Sequence, residues 1–166
     1  MPLVSVVIVN YNVKYFLRQC LQSLFQSSIS DQLDIIVVDN ASVDGSTEMI
    51  KQQYPSIRLI ENDKNLGFSK ANNQGFKIAR GDYILVLNPD TLVEEKTIED
   101  CLNACMQKND IGAICVKMHD GSGRYLPESK RGFPTPLRSL FKLTGLAALF
   151  PKSKTFNGYY LGHLDK

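Results

Sequence analysis

The chain has 166 residues, 43% hydrophobic and 22% charged, which is ordinary for a globular domain and excludes a disordered or fibrous protein. Its net charge of +2 hides an asymmetry: residues 1–116 carry 10 Lys+Arg against 14 Asp+Glu, whereas residues 117–166 carry 9 against 3. The apolar runs fall short of the ~20 residues of a membrane span, and Met1-Pro2-Leu3-Val4-Ser5-Val6 has neither the basic region nor the cleavage site of a signal peptide.

Leu3 to Val9 is a bare apolar run stopped by Asn10-Tyr11-Asn12, which predicts a buried strand with a loop at its carboxyl end. Phe16, Leu17, Cys20, Leu21, Leu24 and Phe25 then share one helical face. A second strand at Leu33 to Val38 delivers Asp39-Asn40-Ala41-Ser42 into a loop, and Asp44-Gly45-Ser46 opens a helix carrying Met49 and Ile50. Ile57 to Ile60 is a third strand, followed by the polar loop Glu61 to Gly67. Phe68 to Ala79 is a helix with Gly81 ending it. Tyr83 to Leu87 is a fourth strand, predicted to be buried on both faces and cut off by Asn88-Pro89-Asp90, since Pro89 donates no ladder hydrogen bond. Ile98, Leu102, Cys105 and Met106 mark another helix, and Ile111 to Lys117 a fifth strand. This alternation predicts an α/β, Rossmann-like, mostly parallel sheet with flanking helices.

After Asp120-Gly121-Ser122-Gly123 the rhythm changes, so residues 1–118 are read as one α/β domain and 119–166 as the start of a second region. That region holds Arg131-Gly132-Phe133-Pro134 and an apolar segment, Leu137 to Phe150, flanked by cations. Its charge suits an anionic membrane surface or a phosphorylated ligand better than nucleic acid, because no nucleic-acid motif accompanies it. Cys20, Cys101, Cys105 and Cys115 form no Cys-x-x-Cys pair and fall in predicted elements, so they are read as reduced, buried thiols of a cytoplasmic protein.

Three strands end in Asn or Asp, and parallel neighbours would gather these ends at one edge of the sheet, beside the loop from Asn65 to Ser69. Gly-x-Gly-x-x-Gly, Gly-x-x-x-x-Gly-Lys-Ser/Thr and Gly-x-Ser-x-Gly are all missing, so phosphates need another neutralising device. A hard divalent cation on Asp90, Mg²⁺ or Mn²⁺, would serve by bridging phosphate oxygens. The structural alternative gives each residue a local role. Tyr11 is then a rim residue, Asp39 caps its turn, Asn65 and Gly67 are left-handed turn residues, and Asn88-Pro89-Asp90 is only a turn. His119 and His163 are read as surface residues and Asp82 as part of a turn.

Val4 to Asn12, Val37-Val38-Asp39-Asn40-Ala41-Ser42-x-Asp44-Gly45-Ser46, Asn65-x-Gly67-Phe68-x-x-Ala71-Asn72-Asn73-x-Gly75 and Leu87-Asn88-Pro89-Asp90-Thr91 together resemble glycosyltransferase family 2, most closely its rhamnosyltransferase-like branch. The resemblance implies a glycosyltransferase A fold, a nucleotide-diphospho-sugar donor and an inverting transfer with Mn²⁺ or Mg²⁺. Residues 1–118 would then be the nucleotide-sugar-binding domain and 119–166 the incomplete start of the acceptor side. The resemblance also implies that Val9, Tyr11, Asn12, Asp39, Asn40, Asn65, Gly67, Lys70, Asn88 and Asp90 line the donor site. Tyr11 would lie against the base, Asp39 would accept from the ring N–H of uracil or thymine, and Asp90 would bind the metal. Asn88 departs from the family's carboxylate. The family's catalytic base belongs to an acidic Glu-Asp motif well after the stretch corresponding to Asp165. That base is therefore expected beyond Lys166, none of residues 1–166 supplying it, and the chain reads as a donor-binding fragment. The expected partners are a UDP- or dTDP-sugar and a saccharide or lipid-linked acceptor in cell-envelope polysaccharide or glycolipid synthesis. The Leu137 to Phe150 segment is read as having lost its packing partner, which would leave an apolar face able to self-associate; the alternative is that its flanking cations rest on the inner face of the membrane. Two other readings stay open: a non-catalytic nucleotide-sugar-binding module, and a sugar-phosphate nucleotidyltransferase. The second normally has a Gly-rich basic loop where this chain has Asn10-Tyr11-Asn12-Val13-Lys14.

Overall fold

The strand β1, Val4–Asn10, is buried along its whole length and lies inside a four-stranded, all-parallel sheet of order β3-β2-β1-β4. The computed structural model that shows this describes residues 3–107, 110–126, 129–161 and 163. Chain order runs from β1 through α1 (Lys14–Phe25), β2 (Leu33–Asp39), α2 (Ser46–Gln53), β3 (Arg58–Glu61), α3 (Phe68–Ile78), β4 (Tyr83–Leu87) and α4 (Thr97–Met106) to α5 (Pro136–Leu143) and α6 (Leu146–Leu149). The chain divides into two compact units, residues 1–106 and 107–166. Among the described residues no helix is long and apolar enough to cross a membrane.

Side chains alternate across the first unit's sheet. Val4, Val6 and Ile8 face a core shared with Leu17, Cys20, Leu21 and Leu24 of α1, Met49 and Ile50 of α2, and Ile98 and Leu102 of α4. Val7 and Val9 face the other way and pack with Ile36, Val38 and Ala71 of α3. Each fully buried leucine of α1 contributes roughly 1.5–3 kcal/mol through the area it removes from water. The expected α1 stripe is narrower than the spacing suggested. Phe16 and Phe25 sit on its flanks and stay exposed, and Phe25 stacks on Tyr54 with ring centroids 5.6 Å apart.

At the amino ends of the strands a polar knot joins β1, β2, β3 and the end of α3. Ser5 Oγ donates to Asp34 at 2.9 Å, Arg58 reaches the same carboxylate at 3.1 Å and the carbonyl of Ile78 at 2.6 Å, and the Arg80 and Gly81 amides donate to Ser5 Oγ at 3.0 and 2.9 Å. Gly81 therefore does not terminate α3, which ends at Ile78 with an extended Ala79 as its cap. Gly81 is needed for close approach, because a Cβ there would lie 2.5 Å from the Ser5 backbone nitrogen.

Three expectations fail for one reason, the lack of a neighbour. β4 is an edge strand, and α3 packs on β1 and β2, so Ile84 and Val86 are exposed and β4 is not buried on both faces. Residues 111–117 form no strand. An apolar run becomes one only where a ladder takes its N–H and C=O groups, and among the described residues this run joins no sheet. Cys115 is consequently exposed, and only Cys20 of the four thiols is buried.

In the second unit, α5 is opened by Thr135, whose Oγ1 accepts from the Arg138 amide at 3.3 Å, and by Pro136 in the first turn. Phe141 packs on Phe156 with centroids 5.0 Å apart, Lys142 lies 4.3 Å over the Tyr159 ring, and Leu137, Leu140 and Leu143 are exposed. His119 is exposed and bridges to Tyr125, whereas His163, expected at the surface, is half-buried. Asp165 and Lys166, the positions from which the later base was counted, lie outside the described residues.

Candidate functional site

The register of the sheet sets Asn10 opposite Asp39 and Asp39 opposite Glu61, while Ile8 pairs with Leu87. The carboxyl ends of four parallel strands thus share one edge. Successive strands run outward from β1 to β3, and the next, β4, is laid down on β1's other side. The order reverses between β1 and β4, which is where open α/β sheets form a crevice for ligands. Asn10-Tyr11-Asn12 and Asn88-Pro89-Asp90 leave their strands on either side of that reversal.

Asp39 is 2% exposed and its carboxylate is tightly oriented. Oδ1 accepts from Asn10 Nδ2 at 2.7 Å and Oδ2 from the Ser42 amide at 2.8 Å. Each carboxylate oxygen keeps a second acceptor direction, so this turn-capping role and acceptance of a ligand N–H are compatible. Asn10 also donates to Ser42 Oγ at 3.0 Å, and both its acceptors fix the amide's orientation, leaving the buried Asn10 Oδ1 without a protein partner.

The two loops flanking this pair are sewn together. The Asn12 amide donates to Ser42 Oγ at 2.9 Å, the Val43 amide to Asn12 Oδ1 at 2.8 Å, and the Lys14 amide to Asp44 Oδ2 at 2.7 Å. Asn12 and Ala41 hold left-handed conformations, φ 55° and 65°, to make this fit. Asp44 thereby caps α1 from a different loop, and it also accepts from the Ser46 amide and hydroxyl. Burial pushes the Asp44 carboxyl up, but the bonds from Ser46 and Lys14 outweigh it and hold the group below its usual value.

The other predicted residues fall into distinct positions. Tyr11 is half exposed at the rim. Val9 packs beneath α3, so its side chain is spent on the core and only its backbone reaches the edge. Asn40 is buried, and its Oδ1 accepts from Asn62 Nδ2 at 3.0 Å and from the Leu66 amide at 3.4 Å. Asn65 is not left-handed; its Oδ1 accepts from the Gly67 amide at 2.9 Å. Gly67 does hold a positive φ, 80° with ψ 163°, a region open essentially to glycine alone. Lys70 is exposed in the first turn of α3.

Asn88 and Asp90 are exposed, and among the described residues Asp90 has no hydrogen bond or ion pair. The carbonyl of Asn88 lies 3.7 Å from the Cys20 sulfur. Burial, with the Asp90 charge as a lesser cause, pushes the Cys20 thiol up to about 12. Among the described residues no group of three or more His, Cys, Asp or Glu converges. Asn88 and Asp90 offer a side-chain amide oxygen and a carboxylate at the end of β4.

Sequence reasoning did not single out Asn10, Ser42, Asp44, Asn62 or Gln74 as site residues. Asn10 could have been found, since two neighbouring parallel strands ending in Asn and Asp place those side chains together. The others depend on contacts of loops with other loops or with α3 that no local pattern records.

The family model for Glycosyl transferase family 2 matches residues 5–161. The chain is 34% identical over 125 residues to the minor teichoic acid biosynthesis protein GgaB of Bacillus subtilis, an alignment that covers 72% of this chain and 14% of GgaB. Its fold superposes on TarS 1–349 of S. aureus in complex with UDP-GlcNAc with a TM-score of 0.64 and 21% identity, covering 82% of this chain and 38% of that one. It also superposes on the mannosyltransferase PcManGT of Pyrobaculum calidifontis, in complex with GDP-Man and Mn²⁺, with a TM-score of 0.61 and 23% identity, covering 70% of this chain and 36% of the other. The chain spans less than half the length of the curated relatives it matches.

Proposed function

The chain belongs to glycosyltransferase family 2, and on that footing we propose that it provides the donor side of a transferase that takes a sugar from UDP or dTDP to an acceptor hydroxyl. The observation that carries this reading is the buried Asp39, clamped by Asn10 and Ser42 at the carboxyl end of β2, one strand from the reversal between β1 and β4. A fixed carboxylate with spare acceptor directions suits a base edge that presents a ring N–H, and the half-exposed Tyr11 offers a stacking face beside it. The solved TarS and PcManGT complexes hold UDP-GlcNAc and GDP-Man, so the fold alone does not choose the base, and the pyrimidine assignment rests on Asp39 and Tyr11.

Asn88 and Asp90 would hold a divalent metal, which when bound supplies charge stabilisation to the departing diphosphate. Asn88 contributes a neutral oxygen, so Asp90 bears the protein's share of the charge. On this reading residues 1–118 bind the donor, the acceptor side begins at 119, and no residue from Met1 to Lys166 is the general base. The teichoic acid role in the name of GgaB supports an acceptor in cell-envelope polymer synthesis. The exposed leucines of α5, beside the basic charge of residues 117–166, support contact with an anionic membrane surface on that acceptor side.

Calorimetric titration with UDP, dTDP and GDP, with and without Mn²⁺, tests this reading. The expected result is metal-enhanced binding of a pyrimidine diphosphate, with the metal effect lost in Asp90→Ala. Equal binding with and without metal in both proteins would remove the metal from the proposal, and a preference for GDP would overturn the pyrimidine assignment.

A further inference from the structure

The loop from Asn62 to Gly67 is held at the sheet edge by side-chain amides. The Asn62 Nδ2 donates to Asn40 Oδ1 at 3.0 Å and to Gln74 Oε1 at 2.9 Å, and Gln74 Nε2 returns a bond to Asn62 Oδ1 at 2.8 Å. The reciprocal Asn62–Gln74 pair fixes both amides in one orientation, because each side chain is donor and acceptor to the other. Asn40 Oδ1 also receives the Leu66 amide, and the Asn62 backbone N–H donates to the carbonyl of Asp39 at 2.9 Å. One chain of bonds therefore runs from α3 through Asn62 to Asn40, the residue after the clamped Asp39.

Packing does little to hold this loop. Asp63, Lys64, Asn65 and Gly67 are exposed, Leu66 is half-buried, and a Cβ on Gly67 would meet nothing within 4 Å. A segment with so few buried contacts opens locally once its hydrogen bonds are lost. Asn62 and Gln74 are themselves only half-buried and lie outside both apolar cores, so the fold does not depend on them as it depends on Leu21 or Val7.

Resting on the donor reading above, we infer that Asn62 and Gln74 are positioning residues for the nucleotide. Their amide pair sets the distance of the 62–67 loop from Asp39 and so tunes affinity and base preference without contact with the ligand.

The test compares wild type with Gln74→Ala, the near-isosteric Gln74→Met, Asn62→Ala and the double variant Asn62→Ala/Gln74→Ala. It measures UDP and GDP affinity with Mn²⁺ by calorimetry, amide exchange at Leu66 and in β1 by NMR, and the thermal midpoint. The expected result is UDP binding weakened about tenfold in Gln74→Ala and Gln74→Met alike, as loss of two hydrogen bonds implies. The UDP-over-GDP preference should narrow, Leu66 should exchange faster, and β1 exchange and the midpoint should stay near wild type. The double variant should be no worse than either single one, since the pair acts as a unit. Wild-type affinity in Gln74→Met would show that shape alone matters and overturn the inference. So would faster Leu66 exchange with unchanged UDP binding, or weakening in proportion to faster exchange in β1. A wild-type chain that binds neither nucleotide fails the donor reading itself and takes the inference with it, an outcome separate from a failure confined to the variants.

Discussion

Replacing Gly75 by alanine should lift α3 from the sheet and destabilise the first unit. A Cβ at this position would lie 2.4 Å from Val7 Cγ1, 3.3 Å from Val7 Cγ2 and 3.5 Å from Val38 Cγ2. Comfortable carbon contacts begin near ~3.5 Å, so the shortfall against Cγ1 is about 1 Å. Val7 cannot yield easily: it is β-branched, fully buried, and carried on a strand paired on both sides. Overpacking of this kind costs about 1–3 kcal/mol, and with the near-atom distance so short the upper end applies. Alanine returns about 0.8–1.0 kcal/mol of helix propensity, which leaves a net loss of about 2 kcal/mol. Urea denaturation followed by circular dichroism measures this directly. In a Val7→Ala background the crowding atoms are gone, and the same Gly75→Ala change should become neutral or stabilising by up to about 1 kcal/mol. A Gly75→Ala protein as stable as wild type, or an equal loss in both backgrounds, would refute the close-approach reasoning.

Other outcomes follow from single residues. Ala41 holds φ 65° without being glycine or asparagine, so Ala41→Gly should stabilise by about 0.5–1 kcal/mol, the relief of left-handed strain exceeding the added chain entropy; a less stable variant in urea would contradict this. The lowered Asp44 carboxyl contributes stability that is complete above the usual carboxylate value of about 3.9 and fades as pH falls through its lower folded value. Acid unfolding of Asp44→Asn should therefore show a flatter dependence below about pH 4. Cys20, raised to about 12 and buried, should resist maleimide at neutral pH while exposed Cys115 reacts. Its neutral thiol favours the folded state below the usual thiol range, and that contribution is lost as pH rises from about 8.5 toward the folded value, so Cys20→Ala should lessen the alkaline loss of stability.

The sheet was legible because each buried strand announces itself twice, by an apolar run and by the polar stop that ends it. Val4 to Asn10 and Leu33 to Asp39 needed no more than that. The same rule misled at residues 111–117, which form no strand, and at Ile84 and Val86, which are exposed on the edge strand β4. Burial depends on neighbours, and a single run of sequence does not name them. The candidate site divides similarly. Asp39 and Asp90 stood out as carboxylates at strand ends, whereas their surroundings are products of register and loop crossing. Asn10 becomes Asp39's partner because β1 and β2 pair in step, Asp44 caps a helix that begins thirty residues earlier, and the Asn62–Gln74 pair joins a loop to a helix turn beyond it.

On the proposed reading a pyrimidine nucleoside diphosphate binds at the carboxyl edge of the sheet, where the strand order reverses. Titrating UDP and Mg²⁺ into the ¹⁵N-labelled chain and following amide shifts locates the ligand without assuming a site. The account predicts the largest shifts at residues 10–12, 39–42, 65–68 and 88–91, with none around Phe25 and Tyr54 at the opposite end. Shifts centred on that opposite end, or spread over the second unit alone, would contradict it.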